Sequence, residues 1–118
     1  MGYADGFVVP VQEGNKEAYR EMAAKAAPIF REHGATRVVE AWGDDVREGK
    51  VTDFRKAVKA EDGETVVFSW IEWPSKEARV AGWEKVMADE RMKPPEPDNM
   101  PFDGKRMFWG GFAPILDA

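Results

Sequence analysis

The chain contains no cysteine and only one histidine, His33, in its 118 residues. Disulfides, thiolate zinc sites and a cysteine nucleophile are therefore excluded outright. It also lacks the run of about 18 apolar residues that a membrane-spanning helix requires, so no membrane partner is expected. Positive charge is scarce as well. Seventeen Lys and Arg stand against 22 Asp and Glu, a net charge of -5, with no basic patch to attract a phosphate backbone. No nucleic-acid partner is expected. The opening MGYADGFVVPV has neither the basic start nor the long apolar core of a leader, and Gly6 stands where a myristoylation signal needs Ser or Thr. The expected compartment is the cytoplasm. Phosphate loops, nucleophile elbows and zinc-binding helix motifs are all missing, so no reaction signature is legible.

What is present is a globular composition, 43% hydrophobic and 33% charged, at a length suited to one domain over residues 1–118 with one core. Residues 3–11 are rich in β-branched and aromatic types and read as a first strand. Asn15 is placed to cap a helix whose apolar stripe is Tyr19, Met22, Ala23, Ala26 and Phe30, bent at Pro28 and ending near His33 and Gly34. Residues 36–45 read as a second strand, and 53–60 as a turn of helix or an edge extension. TVVFSWIEW, 65–73, is a third strand closed by Pro74. Ser75 caps a second long helix with Val80, Trp83 and Met87 as its stripe, running to about Ala88. MKPPEPDNMP, with four prolines in ten residues, is a surface loop, and KRMFWGGFAPI is the last strand. The order predicts an α+β ferredoxin-like βαββαβ fold: one four-stranded antiparallel sheet with two helices on one face.

In such a sheet the face away from the helices can be polar, yet here both faces are apolar. Val66, Phe68 and Trp70 point one way along the third strand and Val67, Ile71 and Trp73 the other. In the last strand Phe108 and Phe112 oppose Met107 and Trp109. An aromatic second face calls for a cover, and a second copy of the chain packed sheet to sheet is the expected one. The competing reading is a monomer whose proline-rich loop folds back over the sheet.

Two carboxylates interrupt the apolar strands. Glu72 lies between Ile71 and Trp73 and shares a face with Phe68 and Trp70. Glu40 lies between Val39 and Ala41 and shares a face with Val38 and Trp42. A carboxylate in apolar surroundings can serve as a general acid or base, while a place at a strand's wet end, paired to Arg or Lys, is the plainer explanation of either. Gly110-Gly111 marks a bulge or a close approach by backbone or ligand. Arg55 belongs to a compact charged set with Asp53 and Lys56, and Arg91, Lys105 and Arg106 offer either an anion site or solvated salt bridges. His33 suits the negative end of its helix, a structural role. Asp44, Asp45 and Asp53 fit turn chemistry better than a metal site, and neither a metal nor a cofactor is expected. The candidate ligand-binding set is Trp42, Trp70, Trp109, Gly110, Gly111 and Arg55. The leading functional reading is a homodimer that binds a small organic molecule in a pocket between sheet and helices. One alternative is a cofactor-independent enzyme, monooxygenase-like or isomerase-like, with Glu72 or Glu40 as base; another is a structural or regulatory interaction protein.

WGDDV (42–46), GKVTDFRKAVKA (49–60), ETVVFSWIEWPS (64–75) and MPFDGKRMFWGGF (100–112) resemble, in order and spacing, the YbaA-like family of small uncharacterised bacterial proteins. The resemblance spans essentially the whole chain. It implies a dimeric α/β barrel, in which two ferredoxin-like protomers join their sheets, and no activity. The entry into the second helix at 70–78 is also similar to antibiotic-biosynthesis-type monooxygenases and their haem-degrading relatives. Many of those carry a histidine near the position of Gly82-Trp83. Its absence here implies no haem.

Overall fold

The structure is a computed structural model that describes residues 2–93 and 100–118. Four strands, β1 (Tyr3–Gln12), β2 (Arg37–Trp42), β3 (Glu64–Trp73) and β4 (Phe108–Phe112), form one antiparallel sheet in the order β2-β3-β1-β4. The long helices α1 (Lys16–Glu32) and α3 (Lys76–Ala88) lie on one face, and the one-turn α2 (Phe54–Ala57) joins β2 to β3. This is the expected ferredoxin-like order. The centre of the proline-rich loop, residues 94–99, lies outside the described residues.

Register decides which side chains meet. Val9 sits opposite Val67 and Phe7 opposite Ser69, while Glu40 also faces Ser69 and Trp109 faces Phe7. Side chains alternate, so Tyr3, Asp5, Phe7, Val38, Glu40, Trp42, Val67, Trp73, Trp109 and Gly111 share the helix-covered face. Glu72, Trp70, Phe68, Phe108, Gly110 and Phe112 occupy the other. The helix side carries most of the core: Phe30, Ala35, Ile71, Trp73 and Val86 form one buried cluster, and Val9, Val11, Tyr19 and Val67 a second. Removing each such side chain from water contributes roughly 1.5–3 kcal/mol before entropy is counted. Across the sheet, a smaller cluster of Val8, Val58 and Val66 is buried, beneath the chain that follows α2.

Local chemistry explains most element ends. Ser75 accepts from the Ala78 amide at 3.0 Å and starts α3, and Asp53 accepts from the Lys56 amide at 2.7 Å and starts α2. Asp53 thereby performs the turn chemistry expected of it. Asn15 behaves differently from expectation. Its side chain caps nothing, because a 3-10 turn over Glu13–Asn15 carries β1 directly into α1. The end strands are also shorter than read from sequence: an Asp103-led turn, with its carboxylate accepting from the Lys105 amide at 3.0 Å, delays β4 until Phe108.

The buried stripe of α3 differs too. Val80 and Met87 are exposed, and the helix turns Arg79, Gly82, Trp83 and Val86 inward, an i, i+3, i+4, i+7 set. Two contacts impose this. Arg79 reaches the buried Asp5 carboxylate, and a Cβ on Gly82 would lie 2.3 Å from the Trp73 ring and 2.7 Å from the His33 carbonyl oxygen. Only glycine lets the helix settle this close. A charged residue therefore sits on the inner face and two apolar ones outside, which hides the inward face of the helix, though not the helix itself, from apolar periodicity.

Candidate functional site

The space between α1 and the sheet is incompletely filled. On the helix side Ala23, Ala24 and Ala27 are too short to reach the strands, and the opposite wall is Val38, Trp42 and Val67. The result is a groove of about 340 Å³, continuous in its lining residues with an inner cavity of about 140 Å³ that reaches Phe7, Phe30, Ser69 and Trp83. Glu40 and Tyr19 line both.

These two residues meet. The Tyr19 hydroxyl donates to Glu40 Oε1 at 2.7 Å, joining the first turns of α1 to the middle of β2. Apolar walls push the Glu40 carboxyl above its ordinary range, opposed by hydrogen bonds from Tyr19 and from Ser69, its partner in register. Tyr19 is raised as well, by burial first and then by the adjacent carboxylate. Glu40 makes no salt bridge among the described residues. At the groove mouth the Lys16 ammonium lies over the Trp42 ring, 5.6 Å from its centroid.

A second polar node, unanticipated from sequence, lies under α3. Asp5 is fully buried and receives Trp73 Nε1 at 2.9 Å, Trp83 Nε1 at 2.8 Å and Arg79 Nη2 at 2.7 Å. Arg79 also stacks over the Tyr3 ring at 5.4 Å, and its guanidinium is held charged, first by the hydrogen bond to Asp5. With its lone pairs taken by fixed donors, this carboxylate is a strut. The clue in the sequence was a lone Asp within an otherwise apolar strand.

The expected ligand set is divided by the sheet. Trp42 and Glu40 stand together in the groove. Trp109 shares their face, but two strands separate it from Trp42; it stacks on Phe7 with centroids 6.0 Å apart and is half exposed. Gly111, also on that face, makes room for Tyr3, whose hydroxyl oxygen would lie 2.5 Å from an added Cβ. Trp70, Gly110 and Glu72 are on the opposite face, and Trp70 lines neither cavity. Glu72 accepts from Trp70 Nε1 at 2.9 Å and lies 3.6 Å from its register partner Arg37 on β2. This is the rim ion pair that was the plainer reading of that carboxylate.

The basic candidates are committed elsewhere. Arg55 donates to the Glu64 and Glu61 carbonyls at 2.5 and 3.1 Å and lines an open pocket of about 730 Å³ that shares no residue with the groove. Arg106 makes a two-pronged contact with Glu64, both at 2.8 Å, and holds Asp103 at 2.9 Å, while Arg91 pairs with Asp89 and Glu32. Each of these carboxyls is held below its usual range, chiefly by hydrogen bonds from the arginine. Glu64 begins β3, whereas Arg91 and its partners gather beyond the far end of α3, so no single anion site unites the two arginines. His33 Nε2 lies 2.9 Å from Asp89 and ties the end of α1 to the end of α3. Among the described residues no three His, Asp or Glu side chains gather as a metal site would require, and no helix is long and apolar enough to cross a membrane.

Strand order and layering define an α+β protein of ferredoxin-like type, with an open groove between α1 and the sheet. Residues 2–104 match the family described as "Protein of unknown function (DUF1428)". The chain belongs to that family. It is 64% identical over 117 residues to uncharacterized protein YbaA of Escherichia coli strain K12, covering 99% of each chain. Solved structures share the fold at much lower identity. An uncharacterized NIPSNAP domain protein from Burkholderia xenovorans superposes with a TM-score of 0.63 at 15% identity, covering 98% of this chain and 97% of that one. SnoaB, a cofactor-independent oxygenase from Streptomyces nogalater, gives 0.60 at 14% identity, covering 98% and 95%. A dimeric ferredoxin-like protein from an uncultured marine organism gives 0.55 at 9% identity over the full length of both.

Proposed function

We propose that the protein binds a small organic molecule in the groove between α1 and the sheet, one per protomer, and assembles as a homodimer through the open face of the sheet. The observation that carries the binding half is the Glu40–Tyr19 pair: a carboxylate without a salt-bridge partner among the described residues, set in the wall of an apolar groove of about 340 Å³. Small-molecule sites combine an apolar lining with a few directed polar groups, at volumes of roughly 300–1,000 Å³. A groove at the lower end of that range suits a ligand of one or two fused rings. Supporting the assembly half, Phe54, Phe68, Phe108 and Phe112 are each exposed by 45% or more, and Phe54 meets Phe68 edge to face. Exposed aromatic side chains gathered on one sheet face are the kind of surface that a second copy of the chain would cover.

Native mass spectrometry of protein purified from its own host tests the binding half. A retained mass that is lost in Glu40→Gln supports the groove; retention that depends on Glu72 instead would move the site to the other face. Light scattering after size exclusion tests the assembly, and a monomer at micromolar concentration would refute it.

A second reading, a cofactor-independent enzyme, is favoured by one observation: Glu40 has its proton affinity raised by its surroundings while still facing a space that a ligand can enter.

A further inference from the structure

Three carboxylates sit among the aromatic residues of this sheet, and their surroundings separate them. Asp5 is enclosed and saturated by Trp73, Trp83 and Arg79. Glu72 stands at the solvent rim with Arg37. Glu40 alone among them lines a cavity, makes no salt bridge among the described residues, and is oriented by a neutral donor, the Tyr19 hydroxyl. A carboxylate can accept about four hydrogen bonds, so Tyr19 and Ser69 leave room for a proton from a ligand.

We propose that Glu40 is a general base that takes a proton from the carbon next to the carbonyl of a small, flat ketone in the groove, and returns it. This rests on the groove being a ligand site. The C–H electron pair becomes the enolate C=C bond and the carbonyl π pair moves onto oxygen; the proton resides on Glu40. Its return to the same carbon gives exchange, and its return to a conjugated carbon gives an isomer. No oxidant or reductant enters the balance. The groove supplies what the step needs. Apolar walls from Ala23, Ala27, Val38 and Val67 weaken the solvation of the carboxylate and raise its basicity. Lys16, lining the same mouth, supplies positive charge for the developing oxyanion. Tyr19 is a positioning residue that fixes one carboxylate oxygen.

The experiment follows 2-tetralone, a flat bicyclic ketone, by proton NMR in D2O with and without protein, reading loss of the signal beside the carbonyl. In the same samples the tryptophan indole resonances report binding. The expected result is exchange about a hundredfold faster than in buffer, abolished in Glu40→Gln even at the higher ketone concentrations where the indole shifts show its weakened groove filled, and unchanged in Glu72→Gln. Charged groups lining the groove are Lys16 and Arg20, both from α1, with Arg20 held by Glu17; the strands contribute Glu40 alone. Tyr19→Phe removes a contact that lowers the proton affinity of Glu40, and the midpoint of the pH–rate profile moves upward. Binding without Glu40-dependent exchange would overturn the proton-transfer inference and leave the binding site standing. Absence of both binding and exchange would overturn the two together.

Discussion

The two faces of this sheet are made of similar residues and are built on opposite principles. Beneath the helices, single contacts dictate the arrangement: Asp5 gathers Arg79 and two indoles, Gly82 admits Trp73, and Tyr19 fixes Glu40. On the open face Phe68, Phe108 and Phe112 contribute area, with Glu72 and Arg37 at the rim. The first is a surface specified by geometry, the second one specified by hydrophobicity. Substitutions should therefore cost stability on one face and assembly on the other.

The largest expected loss of stability follows Asp5→Ala. It leaves Arg79 without its counter-charge and the indole donors of buried Trp73 and half-buried Trp83 without their acceptor, a loss of about 3–5 kcal/mol, read from urea denaturation. A loss under about 1 kcal/mol would show that the face is not organised around this carboxylate. Phe68→Asp, on the open face, is expected to do the reverse. It is expected to convert the proposed dimer to monomer in light scattering while the far-ultraviolet dichroism of the fold persists. Gly82→Ala comes next, costing about 1–3 kcal/mol, because the Trp73 ring and the His33 carbonyl both stand where the methyl must go.

Titration sharpens the contrast further. Asp89 is held well below its ordinary range by Arg91 and His33, so the unfolded chain binds its proton first as pH falls. Its contribution is complete at neutral pH and is lost as pH drops through the ordinary carboxylate range and below. Asp89→Asn should lower stability at pH 7 and flatten that acid limb. Glu40 runs the other way. Its folded form holds a proton above the ordinary range, so folding is favoured at low pH and the contribution fades as pH rises past that range. Glu40→Gln is thus expected to raise the melting temperature slightly at pH 7 and to leave it unchanged at pH 4.

Much of this was legible in the sequence, for identifiable reasons. The near-continuous apolar run TVVFSWIEW, rich in β-branched and aromatic residues, made β3 readable, the two-residue period of a strand divided its side chains between faces, and Ser75 announced the start of α3 by its own capping chemistry. The Tyr19 and Phe30 stripe placed α1 correctly against the sheet. What escaped depended on contacts distant in sequence. Asp5 and Arg79 are 74 residues apart, and their pairing turned α3 so that Val80 and Met87 face outward. Glu40 and Tyr19 are 21 residues apart, far beyond any local pattern, so nothing local distinguished Glu40 from Glu72. Both looked like carboxylates among aromatics. Only the register of β2 against β3 assigns one to the groove and the other to the rim.

Assignment of the ligand site to the helix-covered face is tested most directly by titrating 15N-labelled protein with 2-tetralone and following the five tryptophan indole resonances. The account expects Trp42 to shift progressively to saturation while Trp70, hydrogen-bonded to Glu72 on the other face, stays fixed. A titration in which Trp70 moves and Trp42 does not would contradict it.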